Sequence, residues 1–80
     1  MTDLTGLDSL LLHQRRARTL PLPTVRRLLR TRAGISVRQL AAALAVSPAA
    51  VSRWETGLRS PRGHNLETYS AALDRLAAER

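Results

Sequence analysis

Apolar residues recur along this chain at helical spacing, and capping residues divide them into segments. Val25, Leu28 and Leu29 fall at i, i+3 and i+4 after Thr24, which predicts a helix burying those three side chains. Its outer side should carry most of Arg26, Arg27, Arg30 and Arg32, and Gly34 stands where a C-terminal cap belongs. Ser36 opens a capping box with Gln39, so a second helix is expected from Val37 to Leu44 with Leu40, Ala41 and Leu44 inward. Ser47 followed by Pro48 is an N-cap with proline at the first helical position, predicting a third helix from about Pro48 to Thr56 that Gly57 ends. After the loop L-R-S-P-R-G-H, Asn65 is placed to cap a final helix with Leu66, Tyr69, Leu73 and Leu76 on one face.

Ahead of this domain, taken as residues 21–80, lies an extension over residues 1–20. Leu4, Leu7, Leu10, Leu11 and Leu12 have the spacing of a short amphipathic helix, and Arg15, Arg16 and Arg18 follow. Its apolar face packs on the main domain, meets its counterpart in a dimer, or frays, the first ranking highest. Pro21 and Pro23 then interrupt the chain, since each disfavours helix in the residue before it.

At 80 residues the chain holds one domain with a modest core. Without cysteine it has no disulfide framework and no thiolate zinc site, and His13 and His64 stand far apart without ligand spacing. No metal and no cofactor is expected. The longest apolar runs fall well short of a membrane span, and Asp3 and Asp8 follow Met1 where a secretory signal would be basic, so a cytoplasmic, nucleoid-associated location is expected. Charge says more: thirteen basic residues against six acidic give a net charge of +7, and every basic residue is arginine. The sign favours a polyanionic partner, whereas the choice of arginine also fits GC-rich coding and carries less weight.

Two capped helices joined by a short turn in a basic protein suggest a helix-turn-helix, which places one helix in the major groove of DNA. Advancing about 100° per residue from Pro48, the side chains of Pro48, Ala49, Ser52 and Arg53 share one sector of the third helix. Ala50, Val51 and Trp54 occupy the opposite, apolar sector, which should face the core. Small residues plus one arginine can enter a groove without collision. Arg53 suits guanine O6 and N7, Ser52 a base edge or phosphate, and Ala49 a thymine methyl. Arg38 and the backbone N–H groups around Val37, at the start of the second helix, suit phosphate.

These residues resemble the lambda-repressor-like, Xre-type helix-turn-helix family over residues 24–76. Ser36, Leu40, Ala41, Val46, Ser47, Ser52, Glu55 and Gly57 fall in register with its pattern, Val51 replaces the usual isoleucine, and Ala45 takes the place of the usual turn glycine. The resemblance implies a compact all-α bundle of four or five helices, dimeric on an inverted-repeat operator, with the third helix as reader. It puts Pro48, Ala49 and Arg53 at reading positions, nominates Arg59 and Arg62 in the following loop as phosphate contacts, and pairs Arg30 with Glu55 as a structural ion pair.

The expected function is that of a sequence-specific double-stranded DNA-binding transcriptional regulator, repressor-like and homodimeric. An enzyme is not expected, since the chain has no Ser/His/Asp set, phosphate-cradling glycine loop or metal cluster. The main alternative is an antitoxin or protein-interaction module whose leucine segment in residues 1–20 binds a partner; a membrane-surface role for that segment ranks below both.

Overall fold

The computed structural model describes residues 20–79, which form four α-helices and no strand. These are α1 (Pro23–Arg32), α2 (Val37–Leu44), α3 (Pro48–Thr56) and α4 (Gly63–Ala78). The leucine pattern expected in the N-terminal extension lies outside the described residues, apart from Leu20. The architecture is all-α, as expected.

Pro23 starts α1 at a position where its missing N–H has no helical partner to lose. The helix closes with Ile35 N–H donating to Arg30 O and Gly34 N–H to Thr31 O, with Gly34 at φ +73°. This paired closure satisfies two end carbonyls and needs the left-handed conformation that glycine adopts without a Cβ penalty. The face of α1 differs from the one expected. Val25 and Leu28 are 37% and 53% exposed, whereas Arg26 and Arg30 are only 8% exposed, and of the apolar triplet Leu29 alone packs against the core. The helix is rotated so that two arginines point inward, because the groups that satisfy them lie on α3.

At the start of α2 both capping-box bonds are present: Ser36 Oγ accepts from Gln39 N–H at 3.0 Å and Gln39 Oε1 from Ser36 N–H at 2.8 Å. Ser47 Oγ caps α3 by accepting from Ala50 N–H at 3.1 Å. The final helix begins earlier than expected. Arg62, not Asn65, occupies the N-cap position, and Asn65 N–H already bonds to Arg62 O. Gly63 makes the early start possible by taking φ +55° in the first helical residue, and buried Pro61 fixes the chain ahead of it.

The core consists of Leu40 and Ala41 from α2, Val51 and Trp54 from α3, and Tyr69 and Leu73 from α4. Ala41 is almost fully buried, and with no side chain beyond Cβ it lets a neighbouring helix approach closely. α3 packs against α2 and α1, and α4 closes against α1 and α2. The Trp54 and Tyr69 rings lie 4.8 Å apart at 43°, a tilted pairing worth about 0.5–1.5 kcal/mol beyond their burial.

Candidate nucleic-acid interface

The angle between α2 and α3 is set by Ala45, at φ 57° and ψ 41°. Val46 N–H donates to Ala41 O and Ala45 N–H to Ala42 O, the same paired closure that glycine completes at the end of α1. A residue with a Cβ gives up roughly 1–2 kcal/mol in this conformation. The turn is held nonetheless, because Leu40, Ala41 and Val51 on either side of it are buried together.

From its other end α3 is fixed by the two inward arginines. The Arg30 guanidinium grips Glu55 with both arms, Nε to Oε2 at 2.6 Å and Nη2 to Oε1 at 2.9 Å, and Nη1 donates to Ile35 O at 2.8 Å. The hydrogen bond to Glu55 raises the Arg30 pKa above its already high ordinary value against the opposing effect of burial, so this charge is permanent. Arg26 Nη1 donates to Trp54 O at 3.0 Å and Nε to Pro21 O at 2.7 Å. A cation thus sits at the C-terminal end of α3, where the helix dipole favours one. At that same end Gly57 has φ +79°, and a Cβ there would lie 3.2 Å from the Pro23 ring at the start of α1. Tyr69 closes the cluster from α4; burial above all, and then the Glu55 charge, push its phenol up to about 12.

With Val51, Trp54 and Glu55 held inward, the opposite side of α3 is free. Pro48, Ala49, Ser52 and Arg53 are all exposed. Arg53 lines a shallow cleft between α3 and α4 with Arg59, Arg62, Ser60 and Asn65, so three of the arginines nominated from the sequence converge on one surface. Arg38 and Val37 stand outside that cleft, at the start of α2, where the N–H groups of the first turn have no acceptor within the helix. Asn65 is a cleft residue the sequence reading did not assign to the site. Its signal was the three-residue step from Arg62, which on a helix already wound at Gly63 places the two on one side.

Among the described residues the sole ion pair is Arg30–Glu55, so Arg38, Arg53, Arg59 and Arg62 keep their charges uncompensated by contact. The remaining described acids, Glu67, Asp74 and Glu79, lie on α4 or just beyond it. Exposed positive charge therefore lies on α1, α2, α3 and the loop after α3, while these three acids are confined to the α4 side. Among the described residues no His, Asp or Glu cluster could hold a metal ion, and no helix is long and apolar enough to cross a membrane.

Two short helices at a tight turn, the second buried on one side and bare on the other within a positive surface, define a helix-turn-helix DNA-binding domain. The family model described as Helix-turn-helix matches residues 27–79, and the chain belongs to this lambda-repressor-like, Xre-type family. No curated protein and no solved structure matches it. The family is one of DNA-binding regulatory domains and not typically of catalysts.

Proposed function

We propose that this protein is a sequence-specific transcriptional regulator of repressor type, which inserts α3 into the major groove of double-stranded DNA and works as a homodimer at the chromosome. The observation that carries this reading is the two-sidedness of α3: Val51, Trp54 and Glu55 are buried, while Pro48, Ala49, Ser52 and Arg53 are exposed among uncompensated arginines. In this reading Arg53 contacts guanine O6 and N7, Ser52 a base edge and Ala49 a thymine methyl, with Pro48 packed at the groove wall. Val37 N–H, Arg38, Arg59 and Arg62 hold phosphates and set the register. The DNA-binding domain spans residues 21–80, with residues 1–20 as an extension outside it. Because Pro48 and Ala49 bring no hydrogen-bonding side chain, part of the specificity resides in the shape of the operator.

Selection of bound sequences from random duplex DNA at two salt concentrations tests this. An enriched inverted repeat that persists at the higher salt is the expected result. Binding without enrichment that fades steeply with salt would reduce the protein to a phosphate binder. Absence of binding would favour the protein-interaction role.

A further inference from the structure

The rotation of α1 that buries Arg26 and Arg30 leaves an apolar stripe outside. Leu22, Val25 and Leu28 are 71%, 37% and 53% exposed, and Arg32 continues the stripe one turn further. At that end the stripe borders a cleft between α1 and α4 lined by Leu29, Arg32, Ala33, Leu76 and Glu79. None of this surface belongs to the DNA-facing side of α3.

We infer that the outer face of α1 is the seat of the chain's own N-terminal segment, packed antiparallel with Leu10 against Val25, Leu7 against Leu28 and Asp3 against Arg32. The spacings match. Read backward as a helix, Leu10, Leu7 and Asp3 are separated by three and four residues, and Val25, Leu28 and Arg32 by three and four. Such a pairing puts leucines on apolar positions and the one carboxylate on the one cation. It also brings Leu4 to the height of the α1–α4 cleft.

The connection is suited to this return. Leu20 packs against the core and Arg26 holds the Pro21 carbonyl, so Leu20 and Pro21 are fixed beside the first turn of α1. An antiparallel partner of α1 must begin from that end. Residues 13–19 can span up to about 25 Å, ample for two helix axes about 8–10 Å apart. Charge argues against a second copy of α1 as occupant, since the exposed charges of α1 are Arg27 and Arg32 and the helix carries no acid to meet them. A second copy brings only like charge, whereas residues 1–12 carry Asp3 and Asp8 and no arginine, Arg15, Arg16 and Arg18 falling in the connection.

Because the chain contains no cysteine, paired cysteines introduced into the full-length protein report this contact directly. Leu7→Cys with Leu28→Cys, oxidised in the absence of DNA, should form a disulfide within one chain several-fold faster than Leu7→Cys with Arg27→Cys, whose exposed second position lies about 100° round α1 from Leu28, away from the stripe. Asp3→Arg should slow the first reaction, and Arg32→Asp added to it should restore the rate. Equal rates for the two pairs, or no disulfide in either, would overturn the proposal. A disulfide joining two chains would also overturn it and give the stripe to a second copy.

Discussion

Arginine does two opposite jobs in this domain. On the inner side of α1, Arg26 and Arg30 are buried, and their hydrogen bonds to Pro21 O, Trp54 O, Ile35 O and the Glu55 carboxylate hold α3 in place. Around α3 and α2, Arg38, Arg53, Arg59 and Arg62 are exposed and have no acidic partner among the described residues. The residue type is the same, so the partner decides the role. A buried guanidinium is stable only where acceptors meet its donors, and an exposed one keeps its charge available to a ligand. The first set builds the platform that leaves the second set free.

Removing a partner from the inner set should have the largest effect. Glu55→Ala leaves Arg30 buried and unpaired, which costs about 3–5 kcal/mol, much of the stability of a chain this short. Thermal unfolding followed by fluorescence of Trp54, the sole tryptophan, should show a domain largely unfolded near room temperature. A small change would mean that Arg30 swings out to water, and the contrast between the two sets would weaken.

The same cluster gives an alkaline limit. An unfolded chain ionises tyrosine near 10, but folded Tyr69 keeps its proton until about 12. The unfolded state therefore releases a proton that the native state holds, so stability is intact below pH 10 and falls as the pH rises toward 12. As Tyr69 is the sole tyrosine, its absorbance on titration reads this out without ambiguity. Tyr69→Phe should abolish that decline. It should also leave neutral-pH stability unchanged or slightly higher, because the buried hydroxyl has no hydrogen-bond partner.

For the outer set the expectation reverses. Arg53→Ala should shift stability by no more than about 0.5 kcal/mol, yet weaken binding to the selected operator by about 1–3 kcal/mol and relax one base position. Arg59→Ala should weaken binding to all sequences alike and lower the salt slope by about 1. Equal losses on every sequence for Arg53→Ala would move Arg53 into the phosphate class. The smallest effect belongs to the turn, where Ala45→Gly should raise stability by about 0.5–1 kcal/mol as relief of the left-handed strain outweighs the added chain entropy. Chemical denaturation would measure that gain, and a loss would show that the Ala45 methyl contributes packing.

Much of this arrangement was legible beforehand because its signals are local. The bonds of the Ser36–Gln39 box span three residues, as does the Ser47 cap, and Gly34 and Gly57 take the left-handed conformations that end α1 and α3. The inner face of α4, with Tyr69 and Leu73 buried and Leu66 and Leu76 half-buried, also follows from periodicity. Asn65 misled because it is a good capping residue in its own right, while the actual start depends on Gly63 accepting a positive φ beyond buried Pro61.

The sequence by itself determined the helices, the caps that start α2 and α3 and the outward residues of α3, since each rests on spacing within one or two turns. Only the tertiary structure decided which way α1 faces. Hydrophobicity alone turns Val25 and Leu28 inward and the arginines out, but acceptors on α3, 25 and 28 positions along the chain, reverse that choice for Arg30 and Arg26. Burial of a charge is a property of the pair, and no helical wheel contains the partner.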